Sequence, residues 1–199
     1  MATSPIRTDT ATKPQRDPVR RAAILAVAAR VFAQSGYAAT SMEDVAAAAG
    51  VTKLIVYRHF EAKETLYRAV LEGVFDRQVT LFVENMSAGL EAGGATRALL
   101  TVGREHPDGF RLLWRHAARE PQFAGYVHQF RDTAVNAARA VVEPYLDEDL
   151  REWAAQTLFD HVVDAVLNWL DYGDPARDDT FVAVEAAALR SAVRAWSGR

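Results

Sequence analysis

Apolar residues in this chain recur at intervals of three and four and nowhere alternate in twos. Between Pro18 and Ser35, the positions Ile24, Val27, Ala28, Val31 and Phe32 fall at i, i+3, i+4, i+7 and i+8, which is the stripe of an amphipathic helix. Pro18 suits the start of that helix and Gly36 its end. Thr40 with Glu43, or Ser41 with Asp44, supplies a capping box that opens a second helix. Gly50 offers the left-handed conformation that stops it, and Val51 follows as a buried plug. The Thr52 hydroxyl can then cap a third helix, Lys53 to Phe60. A fourth begins near Lys63 and carries Leu66, Val70, Val74, Leu81, Phe82 and Met86 to about Gly89. After Gly93-Gly94 the helical pattern resumes over Ala95–Gly103, Pro107–Arg119, Pro121 to about Pro144, Asp147–Tyr172 and Ala176–Trp196. In Gly173-Asp174-Pro175 the glycine closes one helix, the aspartate caps the next and the proline takes its first position. The pattern predicts an all-α protein of about nine helices.

The third helix breaks the amphipathic rule. Val56 and Phe60, four apart, share the face that must be buried. Leu54 and Arg58 then point outward with Ile55 beside them, and Tyr57 and His59 are expected to flank that face. Two aliphatic side chains beside an arginine on an outer surface need a reason. A DNA major groove supplies one, because aliphatic groups meet thymine methyls and arginine reads guanine.

Charge supports this only once the chain is divided. The whole chain carries a net charge of −3, but residues 1–72 sum to +3 and residues 73–199 to −6. A basic front and an acidic rear imply that the front alone meets phosphates. There is no cysteine, so no disulfide framework or thiol chemistry is expected. No uninterrupted apolar run approaches the roughly 20 residues of a membrane span, and the polar first residues lack a signal-peptide core. A cytoplasmic protein is expected, with residues 1–17 as a flexible arm ending near Arg16, Arg20 and Arg21.

The residues Ile24-Leu25, Phe32, Gly36-Tyr37, Thr40-Ser41, Val45-Ala46, Ala49-Gly50-Val51-Thr52, Tyr57, Phe60, Lys63-Glu64 and Leu66, in that spacing, resemble the N-terminal domain of the TetR family of bacterial transcriptional regulators. The resemblance covers about residues 19–72. It implies a three-helix DNA-binding domain over residues 18–72 with its helix-turn-helix at 41–60, and a larger ligand-binding and dimerising domain over 73–199. It also implies a homodimer on a pseudo-palindromic double-stranded operator, released by a small-molecule effector, with no cofactor. Carried over residue by residue, Thr40, Tyr57 and Lys63 match phosphate-binding positions. Thr52 and Lys53 match positions touching phosphate or base edges, and His59 matches a phosphate or groove contact. Leu54, Ile55 and Arg58 complete the expected DNA surface. The chain departs from the family at Leu54-Ile55, where glycine or proline and a small residue are common, and at Ala62, where a capping side chain is usual.

For the rear domain the reading is less specific. Phe82, Met86, Phe110, Trp114, Phe123, Tyr126, Phe130 and Trp169 are candidates to line a ligand pocket, with His116, His128, His161, Asp164 and Asn168 as polar partners. His161 and Asp164, three apart, can share a hydrogen bond; no set of residues has metal-ligand spacing. The last two helices, with Ala186-Ala187-Ala188, Ala192 and Ala195, suit a four-helix dimer interface. A ligand-independent regulator or an activator gated by a protein partner remains the alternative. An enzyme is not expected, since no nucleophile–base pair or phosphate-cradling loop occurs.

Overall fold

The computed structural model describes residues 17–85 and 93–198, and among these there are nine α-helices and no strand. The expected arm, apart from Asp17, and Met86 and Gly89 lie outside the described residues. Helix α1 (Pro18–Ala39) starts on Asp17, whose carboxylate accepts from the Val19 and Arg20 N–H groups. Gly36, at φ 78° and ψ 163°, breaks the helical path where the sequence placed the end. One further turn then carries the Tyr37 ring onto Tyr67, edge to face at 5.0 Å. By length and composition alone α1 could cross a membrane, contrary to the expectation from apolar runs. Its apolarity is largely alanine, and Ile24, Ala28, Ala29 and Phe32 are buried in the protein core.

Helix α2 (Met42–Ala48) takes the second of the two possible capping boxes. Ser41 Oγ accepts the Asp44 N–H, and the Asp44 carboxylate accepts the Ser41 N–H at 2.8 Å. Those bonds hold the Asp44 carboxyl below its usual range, the Ser41 hydroxyl being the larger cause. The Thr40 hydroxyl instead donates to the Gly36 carbonyl at 2.7 Å. Gly50, at φ 63°, makes the turn into α3 (Lys53–His59). Thr52 stands at the N-cap, but its side chain makes no capping bond, contrary to expectation.

Helix α4 (Lys63–Asn85) runs unbroken past residue 72 and packs against both α1 and α5 (Gly94–Glu105). Its first turn has no capping side chain: the Leu66 N–H goes to the Ala62 carbonyl. The segment predicted as one helix over Pro107–Arg119 divides into α6 (Pro107–Arg111), a π-helical turn (Leu112–His116) and a 3₁₀ turn (Ala117–Arg119). The wider π turn buries Leu112 and Leu113 and sets the Trp114 ring against Phe159. Helices α7 (Pro121–Val142) and α8 (Glu148–Tyr172) follow. The Asp174 carboxylate accepts the Ala176 N–H and opens a 3₁₀ turn, so α9 (Asp178–Trp196) starts two residues later than predicted.

Two arginine clusters lock the later helices. Arg104 grips Asp178 with two nitrogens at 2.8 and 3.0 Å, and Trp169 Nε1 donates to the same carboxylate at 2.7 Å. Arg111 and Arg115 both bind Asp171. The Arg104 bond, more than the others, holds the Asp178 carboxyl below its usual range, so this stabilisation is present at neutral pH and fades as pH falls through the folded-state pKa.

Candidate nucleic-acid interface and buried cavity

Helix α3 is seven residues long and depends on its neighbours for stability. Val56 and Phe60 are fully buried, as the pattern requires. Leu54 is 70 % exposed, and Thr52, Lys53, Tyr57 and Arg58 are exposed with it. These five form one outward surface. Glu43 on α2 hydrogen-bonds the Lys53 ammonium, which in turn lies 5.4 Å from the centre of the Tyr57 ring. That bond raises the Lys53 pKa and keeps the side chain on the interface. Arg21 of α1 covers the Phe60 ring from above at 5.0 Å.

Four of the expected contact residues are placed differently. His59 is only 7 % exposed, because it follows Val56 by three and therefore turns inward with it and Phe60. Ile55 is half-buried and packs on the core. Thr40 is 2 % exposed and has donated its only hydroxyl hydrogen to Gly36. Lys63 points its ammonium at the end of α1, donating to the Tyr37 and Thr40 carbonyls, both at 2.8 Å, above the Tyr37 ring at 4.3 Å. A lysine near the last carbonyls of a helix satisfies groups that have no partner within it. The local signal for this was Gly36 followed by a turn of α1 that needed a cation.

A cavity of about 310 Å³ lies among α4, α5, α7, α8 and α9. Phe75 stacks on Phe130 at 4.2 Å and joins α4 to α7 at one end. Beyond that stack, α7 presents Ala134, Ala137 and Ala138, and their small side chains leave the space open. Phe82 of α4, Leu99 of α5, and Leu158, Phe159 and Val162 of α8 close the walls. Exposed Val79, Val83 and Thr133 form the rim. Among the described residues no charged side chain lines it, and Gln78 and Thr133 are the polar ones.

Of the candidate pocket residues, Phe82 alone lines this cavity among the described residues, and Met86 lies outside them. The rest hold the scaffold. Phe110 is core, and Phe123 stacks on Tyr67 at 4.3 Å. Tyr126 donates to Glu72, with burial as the larger cause of its raised pKa. Trp169 stacks on Phe181 at 4.7 Å, and Trp114 stands behind the cavity wall against Phe159. His161 faces Glu185 of α9 at 2.6 Å instead of sharing a bond with Asp164, which is exposed, as are His116, His128 and Asn168. The cavity's own signal was the alanine row at positions 134, 137 and 138, small where a core helix normally fills space.

A short helix presenting polar and aliphatic side chains outward, braced by two others and joined to a helical bundle, defines a helix-turn-helix protein. Residues 24–70 match the family model "Bacterial regulatory proteins, tetR family". The HTH-type transcriptional repressor KstR2 of Rhodococcus jostii is 35% identical over 89 residues, 45% of this chain but only 44% of that protein, so this match spans less than half of the relative's length. The HTH-type transcriptional activator FasR of Mycolicibacterium smegmatis is 29% identical over 174 residues, 82% of this chain and 78% of that one. The solved structure of a TetR-like transcriptional regulator from Rhodococcus sp. RHA1 superposes with a TM-score of 0.76 at 23% identity, covering 92% of this chain and 98% of the other. The chain is thus similar to TetR-family regulators, with residues 24–70 matching the family's DNA-binding model and the whole chain sharing their fold.

Proposed function

We propose that the protein is a homodimeric, sequence-specific DNA-binding transcriptional repressor released from its operator by a small molecule. The observation that carries this is the outward surface of α3, where Leu54, at 70 % exposure, stands with Thr52, Lys53, Tyr57 and Arg58. Leu54 and Arg58 occupy the middle of that face and suit base edges; Tyr57, Lys53 and Thr52 flank them and suit phosphates. The family match over residues 24–70 supports the reading. Residues 18–72 act as the DNA-binding unit and 73–199 as the effector and dimer unit, with α4 belonging to both. A ligand in the cavity bears on α4 through Phe75, Val79 and Phe82, and α4 begins directly after the recognition helix. It releases DNA only in so far as it binds the two states unequally. The name of the FasR relative favours a second reading, that operator binding activates transcription.

Selection of DNA from a random pool by the full-length protein tests the proposal. A pseudo-palindrome is expected, its half-sites about one helical turn apart. Arg58→Ala is expected to cost about 1–3 kcal/mol and to relax preference at one position in each half-site. Enrichment of no sequence overturns the assignment.

Dimerisation is assigned to the outer faces of α8 and α9. Leu150, Trp153 and Tyr172 of α8 and Val184 of α9 are large exposed apolar residues, and Ala183, Ala187, Ala188 and Ser191 are exposed small ones that permit close helix approach. Val184→Glu is expected to yield monomers by light scattering at micromolar concentration and to abolish two-half-site binding. A Val184→Glu protein that stays dimeric places the interface elsewhere.

A further inference from the structure

The cavity's chemistry narrows its ligand. Gln78 is 7 % exposed, and its Oε1 accepts the Trp114 Nε1–H at 3.2 Å. Because an indole N–H only donates, this bond decides which end of the amide is oxygen and leaves Nε2 on the other side. Gln78 lines the cavity, and its Nε2 makes no hydrogen bond among the described residues. Thr133, the other polar lining residue, has donated its hydroxyl hydrogen to the Gln129 carbonyl at 2.9 Å and sits at the rim. Among the described residues the buried wall therefore offers one oriented N–H donor in otherwise apolar surroundings, with no arginine, lysine or histidine to neutralise a bound anion and no carboxylate to hold a cation.

We infer that the effector is an uncharged, mostly apolar molecule whose single hydrogen-bond acceptor, a carbonyl of a ketone or ester, is seated on Gln78 Nε2. This rests on the reading of the cavity as the effector site. A buried carboxylate facing a lone amide donor keeps most of its desolvation cost, whereas a carbonyl in the same place satisfies a donor that would otherwise lack a partner. With about 30 Å³ for each water-sized group, the volume accommodates a chain of about ten carbons. Trp114 is a positioning residue: it orients the amide and does not line the cavity.

Two isomers form a matched probe pair, methyl nonanoate and decanoate, titrated by calorimetry into the full-length protein at neutral pH. The ester is expected to bind about tenfold or more tightly than the carboxylate. Gln78→Leu is expected to weaken the ester by about tenfold and to leave decanoate unchanged. Gln78→Glu retains an acceptor for Trp114, guards against a folding defect, and is expected to weaken the ester similarly. Decanoate binding as tightly as the ester, ester affinity unchanged in both variants, or no binding of either probe overturns the inference. Operator affinity followed in parallel by fluorescence anisotropy separates the two claims. Ester binding that depends on Gln78 but leaves operator affinity unchanged upholds the pocket chemistry and removes the effector role.

Discussion

Phe123→Ala is expected to lower the free energy of unfolding by about 3–5 kcal/mol. The ring is fully buried, stacked on Tyr67 at 4.3 Å and edge-on to Tyr37 at 4.9 Å. Tyr67 also meets Phe32 edge to face at 4.9 Å, so one side chain at the start of α7 completes a cluster drawn from α1 and α4. Truncation leaves a void that the three remaining rings, held on the backbones of α1 and α4, cannot collapse to fill. Phe123→Leu keeps most of the volume and is expected to cost less than about 1.5 kcal/mol. Urea unfolding of both variants measures the difference. A loss below about 1 kcal/mol for the alanine variant contradicts the packing described. The cluster also joins the last turn of α1 to the bundle, so Phe123→Ala is expected to weaken operator binding without removing any group from the DNA surface.

Lys63→Met has the next largest expected effect and separates two roles for one side chain. In the structure the ammonium closes α1 through the Tyr37 and Thr40 carbonyls. Removing a charged donor from two carbonyls at 2.8 Å is expected to cost about 2 kcal/mol, since the site is only partly screened by water. The residual operator binding should keep its wild-type salt dependence. A phosphate contact behaves otherwise: stability is retained, and the slope of log affinity against log salt falls by about 0.9 for each phosphate released. Thermal unfolding together with a salt titration decides between them.

The helix-turn-helix could be read without coordinates because its instructions are local. The Ser41–Asp44 box, Gly36, Gly50 and the four-residue spacing of Val56 and Phe60 each act within one or two turns of chain. The outward position of Leu54 and Arg58 followed from the same spacing. His59 was misplaced because it was set beside the outward face, when a residue three after Val56 lies on the inward one. Lys63 and Thr40 are placed differently from expectation for another reason: their partners are carbonyls of a neighbouring turn, freed by the geometry of Gly36.

In the rear domain the aromatic residues drew attention, and most proved to be structural. Phe110, Phe123 and Trp169 are large, so they fill space wherever the helices meet. A cavity arises where large residues are missing, and Ala134, Ala137 and Ala138 read as ordinary helix formers until Phe75, Phe82 and Phe159 are placed opposite them. By itself the sequence determined the helices, most of their ends, and the polarity of the recognition surface, since these depend on residues a few positions apart. Only the tertiary structure decided that Lys63 closes a helix and that Gln78, bonded to a tryptophan 36 residues later, lies in the wall of an apolar cavity. Such contacts depend on how helices cross, and no interval along the chain encodes that crossing.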